Sequence, residues 1–162
     1  MKKLRVYIET SVVSFVFADD SPEKRETTRR FFKKYIRANA LDAFISKVVT
    51  DEIGRTRDRG LRDRLLGVVR RYPLAQLPFE PRLAILDLAQ AYVKSGVIPK
   101  KKADDALHVA VCTVHEMDVL VSWNYEHLVN VNKERRIAVV NQACGYIYPL
   151  RIATPLEVMG SE

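Results

Sequence analysis

Cysteine is scarce. Cys112 and Cys144 are the only two in 162 residues, and neither has a C-x-x-C or Cys/His spacing. That excludes a disulfide framework and gives no basis for a zinc site. Long apolar runs are also missing: none approaches the ~20 residues of a membrane span. Met1-Lys2-Lys3 leads straight into LRVYI, without the apolar stretch and small-residue cleavage site of a signal peptide. The expectation is a cytoplasmic protein with no membrane attachment. Internal repeats, low-complexity segments and Gly/Ser linkers are absent, so one domain over residues 1–162 is expected, long enough to bury a core. Charge is not balanced. The 27 Lys and Arg against 20 Asp and Glu leave +7, which favours polyanionic partners such as nucleic acid.

The stretch Lys102–Asn124 reads KADDALHVAVCTVHEMDVLVSWN. Asp104 and Asp105 precede a run from Ala106 to Val114 that is too apolar for a surface helix, and Val119–Val121 is a short β-branched run bounded by Asn124. A buried helix feeding a buried strand suggests the centre of an α/β sandwich. Carboxylates at the mouth of such a helix are costly unless paired, protonated or bound to a cation. Two readings stay open at this point. Asp104 caps the helix and Asp105 answers its dipole, or the pair belongs to a functional site.

The rest of the chain supplies more strands, each followed by helices. Leu4–Ile8 is a strand, and Glu9-Thr10-Ser11 follows at once, with Thr10 or Ser11 as the expected cap of the next helix. Ser21-Pro22 opens an amphipathic helix to about Ala38, apolar at Phe31, Phe32, Tyr35 and Ile36 and otherwise rich in Arg and Lys. Leu41–Ile45 is the second strand. In the helix after it, Glu52 shares the apolar face of Val48 and Val49, whereas Asp51 faces outward. An Arg-rich helical region follows to Arg71. Leu74–Leu77 is a third strand stopped by Pro78, and a helix runs from Glu80 to Ser95, closed by Gly96. After Asn124, Tyr125–Leu128 reads as a helical turn. One of Ile137–Val140 and Ile147–Ile152 is the last strand, and residues 141–162 read as a C-terminal strand with an irregular tail.

Alternation of strands and helices predicts a three-layer α/β/α sandwich on a mainly parallel sheet of four or five strands. In such sheets ligands bind outside the carboxyl ends of the strands. Glu9 ends strand one, Glu52 follows strand two, Asp105 opens the helix before strand four and Asn124 follows that strand. All four converge on one edge. Clustered carboxylates need a cation, and hard oxygen donors without Cys or a His pair favour Mg²⁺ or Mn²⁺. Metal sites of this kind handle phosphate chemistry.

VYIETS (6–11), ISKVVTDEI (45–53), ADDALHVAVC (103–112) and LVSWNYEHL (120–128) resemble, in order and spacing, the motif segments of PIN domains, through about residue 140. The resemblance implies a Mg²⁺- or Mn²⁺-dependent ribonuclease, many small members of that family being toxins of toxin–antitoxin pairs (VapC-like). It implies Glu9, Glu52 and Asp105 as metal ligands, with Asn124 at the fourth catalytic position. Thr10, Ser11, Asp104 and His127 stand beside them as supporting residues. Two departures are visible. The first acid is Glu9 where the family usually has Asp, and Asn124 brings a carbonyl but no charge. A non-catalytic PIN-like module that binds RNA or protein is therefore the competing reading. A phosphoryl-transfer receiver domain fits less well, because strand three runs into Pro78 where an acceptor Asp is needed.

Further expectations concern partners. Arg29, Arg30 and Lys33 on the basic helix are candidates for RNA phosphate contacts. His108 reads as a core histidine and Trp123 as packing. Bulky stripes at Phe31, Phe32, Leu65 and Leu66 are expected to leave apolar surface on the outer helices, and PIN-like toxins commonly form symmetric homodimers. A homodimer with a small antitoxin as partner is the resulting expectation.

Overall fold

The computed structural model describes residues 2–160. Met1, Ser161 and Glu162 lie outside the described residues, and with them the last two positions of the expected irregular tail. The chain runs β1 (Arg5–Ile8), α1 (Thr10–Ser14), α2 (Pro22–Phe31), β2 (Asp42–Ser46), α3 (Lys47–Gly54), α4 (Arg59–Arg71), β3 (Ala75–Leu77), α5 (Arg82–Lys94), α6 (Ala103–Val114), β4 (Val119–Val121), α7 (Val131–Ala143), β5 (Arg151–Ala153) and α8 (Pro155–Met159). A 3₁₀ turn at Phe15–Phe17 extends α1, a π turn at Phe32–Ile36 extends α2, and a 3₁₀ turn at Lys100–Lys102 precedes α6.

Five parallel strands form one sheet in the order β3-β2-β1-β4-β5. Helices cover both faces, giving a three-layer α/β/α sandwich, the architecture expected of strands alternating with helices. The central strand β1 is buried at Val6, Tyr7 and Ile8, and all of β4 is buried. That explains why both read as unbroken apolar runs. The order of strand addition reverses between β1 and β4, which run parallel with Tyr7 paired to Leu120 and Ile8 to Val121. The next residues, Glu9 and Ser122, therefore emerge side by side at the carboxyl edge. This crevice is where an open parallel sheet binds ligands.

Several local expectations need correction. The cap of α1 is neither Thr10 nor Ser11 but Glu9, whose carboxylate accepts the Ser11 amide. Asp104 does not cap α6. That position is Lys102, without a side-chain bond, and both acids lie in the first turn, where they complement the helix dipole. Ser21 precedes α2 but makes no capping bond. Of the two candidate last strands, Ile137–Val140 lies inside α7, where Ile137 and Asn141 bury one face at a spacing of four. The strand is Arg151–Ala153, and Ile147 is exposed. Residues 155–159, expected to be irregular, form α8. Thr154 and Glu157 make a reciprocal capping box, and Pro155 occupies the first turn without needing a donor.

The expected apolar surface on the outer helices is not there. Phe31, Phe32 and Leu65 are buried and Leu66 is partly buried, because α2 packs against α8 and the Phe15–Phe17 turn, and α4 packs against α1 and α3. Among the described residues no helix is long and apolar enough to cross a membrane.

Candidate active site

A cavity of about 550 Å³ opens at the carboxyl edge of the sheet. Its wall brings together Glu9, Glu52, Asp105 and Asn124, and also Thr10, Ser11 and Asp104. His127 does not line it, but its backbone amide donates to Asn124 Oδ1 at 3.1 Å.

Each acid is held differently. Glu9 is buried and folds back over the start of α1. Its Oε1 accepts from Ser11 Oγ at 2.5 Å and Ser122 Oγ at 2.6 Å, and its Oε2 from the Ser11 amide at 3.0 Å. One carboxylate thus serves the helix cap and both serine hydroxyls. Glu52 projects from the inner face of α3. Its Oε1 accepts from Thr10 Oγ1 at 2.7 Å and from His108 Nε2. Asp105 sits in the first turn of α6, where Asn124 Nδ2 donates to its Oδ2 at 3.2 Å. Asn124 thus presents its amide to Asp105 and spends its carbonyl on His127. Asp104 leans the other way, to Arg55 at 2.5 Å.

Burial, together with the charges of Glu9 and Glu52, pushes the Asp105 carboxyl up to about 6, against a lowering by His108 and His127. Burial alone would also raise Glu52, but the His108 hydrogen bond and charge, with Thr10 and Arg55, bring it below its ordinary value. Burial would lower His108, yet its bond to Glu52 and the charges of Glu9, Glu52 and Asp105 raise it. Each member of the Glu52–His108 pair therefore favours the charged form of the other. Ligand-type atoms of Glu9, Glu52 and His108 lie within 4.8 Å of one another. His108 has no solvent exposure, and its second nitrogen, Nδ1, is 2.7 Å from Tyr7 Oη, which is itself 2.7 Å from Ser46 Oγ. Both ring nitrogens are satisfied within the protein, consistent with a core histidine that backs Glu52. Glu9, Glu52 and Asp105 offer hard oxygens to the cavity, a donor set suited to Mg²⁺ or Mn²⁺.

Sequence reasoning missed Ser122. Its hydroxyl ties Glu9 to the start of the Trp123-Asn124 loop by accepting the Asn124 amide at 2.9 Å. Only the β1–β4 register shows it as a neighbour of Glu9. It also missed Lys101 and Lys102, which line the cavity, and read Lys24 only as part of the basic helix face, whereas its ammonium stands over aromatic rings. Trp123 is buried, and its indole N–H donates to Thr28 Oγ1 at 2.9 Å, as a packing residue does.

Of the three basic residues singled out in the sequence, Arg29 and Lys33 line a second cleft of about 390 Å³ between α2 and α4, with Arg64, Arg71, Phe17 and Tyr72. Arg30 is exposed and lies outside it.

No family model matches the chain, and no curated protein matches it by sequence. Among solved structures it is similar to a chain of VapBC2 from Rickettsia felis, crystallised bound to a DNA fragment from their promoter. The TM-score is 0.59 at 14% sequence identity, over 93% of this chain and 98% of that one. A likeness of this extent and this low identity speaks to architecture: the chain has a PIN-like α/β/α fold with its acidic cavity at the carboxyl edge of the parallel sheet.

Proposed function

We propose that the protein is a Mg²⁺- or Mn²⁺-dependent endoribonuclease and the toxin of a type II toxin–antitoxin pair. The observation that carries the reading is the gathering of Glu9, Glu52 and Asp105 in one cavity, close enough that Glu9 and Glu52 raise Asp105. Structural ion pairs neutralise such repulsion from within, and among the described residues neither Glu9 nor Asp105 has an ion-pair partner. A divalent cation held by the three carboxylates supplies the missing charge, an activated water and stabilisation of the leaving oxygen. Ser11 and Ser122 fix Glu9, Thr10 and His108 fix Glu52, and the Asn124 amide orients Asp105. Lys101 and Lys102 on the cavity wall offset phosphate charge. The fold likeness to a VapBC2 chain supports a small antitoxin as partner. We also propose a homodimer acting in the cytoplasm.

One observation favours the second reading, a non-catalytic RNA- or protein-binding module. With its carbonyl turned to His127, Asn124 gives the cavity no fourth oxygen. The two readings separate on single-stranded RNA with Mn²⁺. The nuclease reading expects endonucleolytic products that vanish on adding EDTA and in the Asp105→Asn variant. Binding without cleavage at any metal concentration would establish the second reading instead. The antitoxin assignment stands separately: a co-expressed partner encoded beside this chain is expected to bind it and suppress cleavage.

A further inference from the structure

Lys24, on the first turns of α2, has no carboxylate partner among the described residues. Its Nζ stands instead over three rings: 5.0 Å from the centroid of Tyr125, 5.6 Å from Trp123 and 5.7 Å from Phe15. Phe15 and Trp123 are also part of the acidic cavity's wall. The cage is built in place. Trp123 is bound through its indole to Thr28, four residues along α2 from Lys24. The Tyr125 backbone is tied by its amide to the Trp123 carbonyl at 3.0 Å and by its carbonyl to Asn130 Nδ2 at 3.1 Å. Trp123 is nearly covered, but the Tyr125 side of the cage remains open, with half of that residue exposed.

Packing α2 against the 123–125 loop needs only apolar contact, and an aliphatic residue at position 24 would serve. A lysine there has a different consequence. Ring faces attract an ammonium without cancelling its charge, unlike a carboxylate. The cage therefore positions an unneutralised cation next to a cavity whose own acids repel phosphates. Beside it lies an accessible aromatic ring on a fixed backbone, the platform on which unpaired bases stack.

We propose that Lys24 and Tyr125 form a nucleotide subsite at the mouth of the acidic cavity. Tyr125 stacks the base of a nucleotide flanking the cleaved bond, and Lys24 meets a phosphate of that nucleotide. The subsite rests on the ribonuclease reading and narrows its substrate: a base that stacks on Tyr125 must be unpaired, so the RNA is single-stranded at this position.

The test is binding of a 5′-labelled single-stranded oligoribonucleotide by fluorescence anisotropy in EDTA, where turnover does not interfere. A matched oligomer with abasic positions is the second probe. Tyr125→Ala is expected to weaken binding of the base-bearing oligomer by about 10-fold and to leave the abasic one unchanged. Tyr125→Phe, which keeps the ring, binds like the parent. Lys24→Gln weakens both oligomers and lowers the log–log salt slope by about 0.7, the share of one phosphate on a single strand. Lys34→Gln, exposed on the π turn, is the control and leaves both unchanged. Parent-like binding by both Tyr125→Ala and Lys24→Gln overturns the subsite while the parent still binds and cleaves RNA. Equal weakening by Tyr125→Phe and Tyr125→Ala overturns the stacking role. If the parent neither binds nor cleaves RNA, the ribonuclease reading fails and takes the subsite with it.

Discussion

His108 and Glu52, fifty-six positions apart in sequence, meet through a hydrogen bond from Nε2 to Oε1 at the edge of the cavity. The imidazole carries the bond inward to Tyr7 and the carboxylate carries it outward to Thr10. A buried histidine thus sets the position of an acid that faces solvent. Removing it takes a hydrogen bond from Glu52, and leaves the buried Tyr7 hydroxyl with Ser46 alone. His108→Ala is therefore expected to lose about 2 kcal/mol of stability, since a half-buried carboxylate and a buried hydroxyl each lose a hydrogen bond. Denaturant unfolding of the metal-free protein measures it, and a loss below half that value would show that the pair is dispensable.

Asp105 behaves in the opposite sense. Its carboxyl titrates near 6 in the folded chain, above the ordinary value of the unfolded one. The folded state therefore binds the proton more tightly, and stability falls as pH rises from about 4 to about 6. Replacing the carboxyl with an amide removes that loss. With solvent screening at the cavity mouth, Asp105→Asn is expected to gain about 1 kcal/mol at pH 7.5 in EDTA and nothing near pH 4. The same variant is expected to cleave no RNA. Unfolding curves at the two pH values, beside one cleavage assay, give both answers. Full activity would remove Asp105 from the site.

These acids were legible in the sequence because a parallel α/β alternation places every strand's carboxyl end on one edge. Glu9, Glu52 and Asp105 needed only that topology. What was not legible depends on register and on short elements. Ser122 becomes Glu9's neighbour only once Ile8 pairs with Val121. Ile137–Val140 looks like a strand because its run is β-branched, and its helical burial shows only in Ile137 and Asn141, since Val139 is exposed. Phe31, Phe32 and Leu65 promised a free outer surface. Of the elements that cover them, α1, α8 and the Phe15–Phe17 turn are each five residues or fewer and carry little periodicity of their own.

The basic cleft between α2 and α4 yields a salt prediction. Arg29, Lys33, Arg64 and Arg71 line it, and the one ion pair any of them makes among the described residues is Arg29 with Glu26, at 3.6 Å. If RNA phosphates lie there, Lys33→Glu with Arg71→Glu lowers the log–log salt slope of binding in EDTA by about 1.4, at about 0.7 per phosphate on a single strand. Arg30→Glu, outside the cleft, changes the slope by less than half of that. Equal slopes for the parent and the double variant would show that the cleft meets no phosphate.

The homodimer needs a new surface, since the stripes on α2 and α4 are used inside the chain. The exposed large apolar residues include Val131 and Val139 on α7, and Ile147 and Tyr148 in the loop that follows it, with Ile147 at 83% exposure. That loop is fixed: Tyr148 Oη donates to Asp118 Oδ1, and the Tyr146 amide donates to the Asn141 carbonyl at 2.8 Å. A bulky aliphatic side chain held out on a fixed loop gains about 1.5–3 kcal/mol on full burial, and an isologous contact counts it twice. Light scattering is expected to give twice the 18.6 kDa chain mass at micromolar concentration. Ile147→Asp, which places two charges where two isoleucines would meet, is expected to return the monomer mass while the chain still unfolds in one cooperative transition. A monomeric parent would overturn the dimer, and a dimeric Ile147→Asp would move the interface away from this loop.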